Sequence, residues 1–332
     1  MKNVILVAVL LIFASCKDAK QSESKPIEDS TKDETGLASQ QHPGKKIMET
    51  ECYMCHNPKA SESSMIAPPM IAIKKFYIDS NTTKDSFTQA LMLWINNPEA
   101  PSKMPMAQEK FGKMPYLPYS EETVKMIAEY MYDYDLEKPK WFDAHYAKEH
   151  GNGLVEGSTQ ETKDAAIDYA DIGLGYALAT KAELGKNLMK AINKNGTVAA
   201  IEFCNTKALK LTDSMSVMKN AIIKRVSDKP RNPQNLANEE ELGFINYFKK
   251  AVSAGVEIKP IVQPVNGEIN FYYPITTNTM CLQCHGTPKE QMKIETLETL
   301  RKLYPSDKAI GYNVNEVRGI WVINFDEEST SK

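Results

Sequence analysis

The sequence predicts two folded domains of different class: an all-α domain over residues 42–137 and an α+β domain with an antiparallel sheet over residues 160–326. Three observations predict this. Residues 42–137 show apolar spacing of helical period only. Residues 160–326 mix strongly helical stretches with short β-rich runs. Each domain is preceded by a segment with little apolar pattern, residues 16–41 and 138–159. The 332 residues are enough for two domains of about 100–200 residues each. A hydrophobic content of 42% with 25% charged residues suits globular domains, and a net charge of −3 argues against a nucleic-acid binder.

In chain order, residues 1–15 read as a signal peptide: Lys2 is followed by the apolar run Val4 to Ala14. That run is shorter than the about 20 residues a spanning helix needs, and it has the length of a signal-peptide core. Ala14-Ser15 directly before Cys16 resembles a bacterial lipoprotein box, with Phe13 in place of the usual Leu. The resemblance implies lipidation at Cys16, a membrane anchor and a place in the cell envelope. Lys17 at the second mature position points to the outer membrane, facing the periplasm or the cell surface. Residues 16–41 carry almost no large apolar side chains and read as a tether.

Within 42–137, Pro43 to Glu51 reads as a short helix and Ser86 to Asn96 as an amphipathic one. A further helix opens at Ser120, its N-cap, with Glu121 and Glu122 in the first turn and Val124, Ile127, Ala128 and Met131 on one face. Lys138-Pro139-Lys140 starts the connector, where Trp141, Phe142 and Tyr146 are candidates to dock back on the first domain. His145 and His150 read as connector histidines without partner ligands. In 160–326, Ala165 to Lys194 is helical and ends at the turn Asn195-Gly196. Arg225 to Asn235 reads as a Pro-rich loop, and Asn238 caps a helix to Ala251. Strand-like runs follow at 256–262, 269–276, 310–314 and 317–325, with a helix near 294–303. Residues 327–332 are a tail.

Each domain carries one CxxCH: Cys52-Tyr53-Met54-Cys55-His56 and Cys281-Leu282-Gln283-Cys284-His285. Two thiols three positions apart with a following His fit covalent haem attachment, the cysteines forming thioethers and His56 and His285 serving as axial iron ligands. The pairs are too far apart for a zinc ribbon, and a redox CxxC has no need of the His. The expectation is two haems c. Export agrees, since bacterial c-type haem is attached outside the cytoplasm. With Cys16 and the four motif cysteines assigned, Cys204 is left over, so no disulfide framework is available.

A helix ending in CxxCH, a Pro-containing loop at Pro68-Pro69, a Met-Pro segment and a capped final helix resemble a class I cytochrome c over residues 42–135. In that family a Met before the last helix is the sixth ligand. The matching position is Met114, six residues before Ser120; Met104 and Met106 compete, and Met70 more distantly. The second domain resembles a family of c-type haem domains with a PAS-like fold, described first in cyanobacteria. The matching segments include 196–205, 225–233, Tyr273-Pro274-Ile275, the second CxxCH, 304–312 and Arg318-Gly319. The resemblance implies Cys204 as a second axial ligand opposite His285. Arg225, Arg231 and Arg318 are candidates for the haem propionates, since guanidinium forks match carboxylates.

The function expected from these readings is electron transfer, without enzymatic turnover, between a low-potential His/Cys haem and a higher-potential His/Met haem, with redox proteins as partners. A thiolate ligand lowers a haem's potential and a thioether ligand raises it. A redox or gas sensor is the alternative. A dihaem peroxidase is a further one that the domain order does not resemble. The sequence fixes no oligomeric state.

Overall fold

Residues 42–150, except Pro98, Pro115 and Pro118, and residues 168–327 are described by a computed structural model. The expected leader, Cys16, the tether, residues 151–159 of the connector, the first residues (160–167) of the second expected domain and the end of the tail lie outside the described residues.

Every regular element in 42–150 is a helix or a single helical turn. The helix α1 (Pro43–Ile47) begins where His42 Nδ1 accepts the Gly44 N–H at 3.1 Å, and it continues as a π-turn, Met48–Cys52, into the first motif. Next come α2 (Met70–Tyr77), α3 (Lys84–Asn96) and α4 (Pro105–Phe111). α3 starts two residues earlier than its apolar face suggests, because Thr83 and Ser86 cap each other reciprocally. The helix expected from Ser120 is α5 (Glu121–Asp133), and its apolar face (Val124, Ile127, Ala128, Met131) is fully buried. α1 and α3 both pack on α5. The crossing with α1 requires Gly44: a Cβ there would lie 2.0 Å from the Met126 carbonyl oxygen.

The connector is folded as far as it is described. α6 (Phe142–His150) puts Phe142 into the first core, and Trp141 donates its indole N–H to the Ala60 carbonyl at 3.0 Å.

The second part opens with α7 (Tyr169–Thr206), capped by Asp168. Its helical geometry breaks at Asn195 and Gly196, the turn expected there; Gly196 has a φ of +71°, which favours glycine. After it come α8 (Ala208–Lys219), β1 (Ile222–Val226), α9 (Glu239–Ser253), β2 (Ile261–Val265), β3 (Glu268–Thr276), α10 (Thr279–His285), α11 (Ile294–Leu303) and β4 (Val317–Asp326). The antiparallel sheet has the order β1-β4-β3-β2. Strand alternation gives it two apolar faces. Ile223, Ile269, Phe271, Ile323 and Phe325 pack with Leu174, Ala177 and Leu178 of α7. Tyr272, Ile320 and Val322 pack with Ile245 and Phe248 of α9. The expected mixed α+β architecture with an antiparallel sheet is therefore present.

Four details differ from the sequence reading. Arg225 lies in a strand, not at the head of a loop, because Ile222–Val226 pairs with β4. The α8 helix fills a stretch the sequence left unassigned. The run expected at 256–262 pairs only from Ile261, with Pro264 tolerated because β2 is an edge strand. Residues 310–314 form no strand, since their backbone bonds go to the second motif: Gly311 N–H to Gly286 O and Tyr312 N–H to His285 O, both 3.0 Å. The described residues cluster as one compact unit. Among the described residues no helix is long and apolar enough to cross a membrane.

α7 crosses the sheet closely at Gly173, where a Cβ would lie 2.3 Å from Phe271 Cδ2, inside a fully buried ring contact. Gly175, two positions on, faces open space. Gly173→Ala is expected to cost about 1–3 kcal/mol through overpacking. Gly175→Ala is expected to be neutral or to stabilise by up to about 1 kcal/mol through helix propensity. Urea unfolding midpoints of the two variants check the contrast.

Candidate functional site

The two CxxCH segments differ in backbone, a π-turn and turn at the first and an α-helix at the second, but their histidines make the same bond. His56 Nδ1 lies 2.6 Å from the Pro68 carbonyl oxygen, and His285 Nδ1 lies 2.7 Å from that of Ala309. A carbonyl only accepts, so each Nδ1 carries the proton, and the lone pair is left on Nε2. This is the orientation that second-partner hydrogen bonds impose on metal-ligating histidines. Burial pushes His56 below the ordinary imidazole range. Burial, then the Arg318 and Arg231 charges, push His285 well below it.

The thiols agree with a role other than dithiol redox. Burial raises Cys52 to about 12 and Cys284 to about 11, and it also raises Cys55 and Cys281. Reactive dithiol pairs have their first thiol lowered instead. All four are free cysteines, and among the described residues no group of three or more His, Cys, Asp and Glu is gathered to hold a metal ion.

The first site opens on a cavity of about 1190 Å³, lined by Cys52, Cys55 and His56 and walled by Ile73, Leu91, Ile95 and Ile127. That exceeds the roughly 300–1,000 Å³ typical of small-ligand pockets and leaves room for a large macrocycle. Trp94 borders it, and its indole N–H is buried with no acceptor. A donor left unpaired in this way fits a ligand that carries an acceptor there. Met104 and Met114 both line the cavity, as does Met70, while Met106 is 77% exposed and not part of the wall. Sequence reasoning missed one wall entirely: Lys186, Asn187 and Lys190 come from α7 of the second part. Their spacing marks one polar face of a helix, but nothing in the spacing says what that face meets.

The second site is electropositive. Cys204, on the segment of α7 beyond the Gly196 break, has its thiol raised by burial and drawn back by Arg225, Arg231 and Arg318. The last turns of α7 share an apolar cluster with α11 and Cys284 through Ile201, Leu300 and Tyr304. Arg225 on β1 and Arg318 on β4 form no ion pair among the described residues. Burial and then Arg318 pull Arg225 down to about 10, and its Nε–H is buried without an acceptor. Arg318 Nε lies 3.1 Å from His285 Nε2, so that guanidinium must swing aside before His285 can ligate a metal through this nitrogen. Two underpaired guanidinium groups fit an anionic ligand, as expected of haem propionates.

Arg231 is placed differently. It forms a buried ion pair with Asp307 at 2.9 Å and donates to the carbonyls of Cys284 at 2.6 Å and Ala309 at 3.2 Å. It thus braces the carbonyl that holds His285. The remaining connector histidine with a described side chain, His145, is held by Glu62 and Glu149 at 3.1 Å each, in a cluster with Trp141.

Comparison with known proteins gives a family model described as Tll0287-like, matching residues 159–325. The crystal structure of the cyanobacterial haem-protein Tll0287 matches at 18% identity and a TM-score of 0.36, over 46% of this chain and 94% of that one. Among curated proteins nothing matches.

Arg231→Met would leave Asp307 as an unpaired buried charge and remove donors from two carbonyls. A loss of about 3–5 kcal/mol is expected, as for breaking one partner of a buried ion pair. Chemical denaturation of this variant beside Lys224→Met, whose ion pair with Glu241 is half exposed on the lysine side and which should lose under about 1 kcal/mol, checks it.

Proposed function

The chain belongs to the Tll0287-like family, matched across residues 159–325, and from that premise we propose that it is a dihaem c-type cytochrome that carries electrons and performs no enzymatic turnover. The observation that carries the reading is the repetition: each CxxCH offers two half-buried free thiols and a histidine whose Nδ1–H is given to a carbonyl, leaving Nε2 for iron. The family takes its name from Tll0287, which is described as a cyanobacterial haem-protein. When bound, each haem supplies an iron that gains or loses one electron.

The chain's own residues have distinct tasks in this reading. Cys52 and Cys55 anchor the first haem, and Cys281 and Cys284 the second. His56 and His285 ligate from one side. Met114 is the partner ligand to His56, with Met104 as its competitor on the same cavity wall. Cys204 is the partner ligand to His285, favoured by three nearby guanidinium groups that stabilise a thiolate. Arg225 and Arg318 pair with propionates, and Trp94 donates to an acceptor on the first haem. A thiolate from Cys204 would lower the potential of a haem held at the second site relative to one held by His56 and Met114, which would direct electrons from the second site to the first and onward to a redox protein. Cys16 is the lipid anchor that keeps the protein in the cell envelope, at the outer membrane.

The test is an optical redox titration of protein matured with haem-attachment machinery, with a haem count per chain. Two haems and two separated one-electron steps are expected, the lower one lacking a Met–iron band. Cys204→Ala should raise the lower step and leave the upper one in place. A single overlapping step at high potential would remove Cys204 as a ligand, and fewer than two haems would overturn the dihaem reading.

A further inference from the structure

The residue directly before the first CxxCH is Glu51, and only 9% of it is exposed. A carboxylate in such a place is costly unless its oxygens are hydrogen-bonded. The donors come from the second motif and from the loop before α5. The Thr279 N–H donates to Oε2 at 3.1 Å and the Thr279 hydroxyl to Oε1 at 3.0 Å. The Tyr119 hydroxyl donates to Oε2 at 3.1 Å, and the Asn278 side-chain amide reaches the Glu51 carbonyl at 3.4 Å. Asn278 and Thr279 are the cap and first residue of α10, the helix that bears Cys281, Cys284 and His285. Asn278 and Met280 also line the cavity of the first site. The two attachment segments, 229 positions apart between Cys52 and Cys281, are thus bonded at their leading residues.

Resting on the dihaem reading above, we propose that Glu51 is a positioning residue that clasps the second attachment motif onto the first and holds the two haems side by side as one intramolecular electron-transfer pair. With both haems bound, the pair would exchange one electron, the donor losing it and the acceptor gaining it, with no bond or proton changing place. Three hydrogen bonds from Asn278 and Thr279 to one buried residue set the separation of the pair, and Tyr119 holds the Glu51 carboxylate in place for them. Glu51→Gln keeps one acceptor oxygen for this contact, whereas Glu51→Ala leaves the Thr279 and Tyr119 donors without a partner.

The test uses the mature holoprotein as wild type, Glu51→Ala, Glu51→Gln and Thr279→Val. Three readouts are taken: haems per chain, amide hydrogen exchange of the segment 276–285, and the Soret circular dichroism couplet that two close haems produce. Glu51→Ala is expected to raise Thr279 amide exchange about tenfold or more and to cut the couplet by about half or more. Glu51→Gln should retain most of both signals, a rescue that simple loss of packing would not give. Unchanged exchange and an unchanged couplet in Glu51→Ala overturn the clasp while leaving two haems per chain intact. A wild type with two haems and no couplet also overturns it. Fewer than two haems in the wild type overturns the dihaem reading instead, and the exchange of Thr279 still reports on the clasp. If Glu51→Ala does not fold, Thr279→Val, which removes one hydroxyl donor, decides by the same two signals.

Discussion

At both sites one short bond, from a histidine Nδ1–H to a backbone carbonyl oxygen, ties the loop after the cysteine pair to its own motif. Much of the local structure depends on it. The bond fixes the tautomer, so the Nε2 lone pair points the same way in every molecule, and at His285 the Arg318 Nε–H meets it at 3.1 Å. It also fixes the partner loops, Pro68 on one side and Ala309 on the other. Around Ala309 the support is layered: Arg231 holds its carbonyl, Asp307 holds Arg231, and Gly311 and Tyr312 return backbone bonds to the motif. A buried imidazole is weakly basic here because the surroundings disfavour its charged form, which keeps it available as a neutral ligand.

The two sites differ in electrostatics as well as in backbone. The first cavity has mainly aliphatic and methionine walls, one orphaned indole donor and lysines along one flank. The second gathers three guanidinium groups around Cys204, of which Arg231 alone has an ion pair among the described residues, with Asp307. Such an excess of buried positive charge is expensive without an anion. It also favours the ionised form of any thiol within it, against the effect of burial. Two haems held as proposed would sit in these unlike fields, and the difference would give charge flow between them a direction.

Much of this was legible beforehand. The caps at Ser120 and Asn238, the break at Asn195-Gly196 and the strand character of the 269–276 and 317–325 runs followed from local chemistry that tertiary contacts did not override; that these two runs pair with each other did not. The ring-bonding carbonyls were half visible: Pro68-Pro69 stood out as a loop, but a carbonyl acceptor has no residue signature. Residues 310–314 read as a strand because their composition suits one, and they are instead spent on the motif turn. Glu51 was invisible for a different reason. Nothing in a lone acid before a cysteine says that its oxygens are met by a threonine more than two hundred positions away. Contacts between distant segments leave no periodic trace in either.

The break in α7 has a consequence for how this protein can be dissected. Before Gly196 the helix supplies a wall of the first cavity, and after it the same helix carries Cys204 beside the second motif. A gene cut between the two expected domains would therefore strip the N-terminal piece of part of its own pocket lining and expose that lining on the C-terminal piece. Two units that read along the chain as separate domains therefore share one pocket wall, and the first is incomplete without the second.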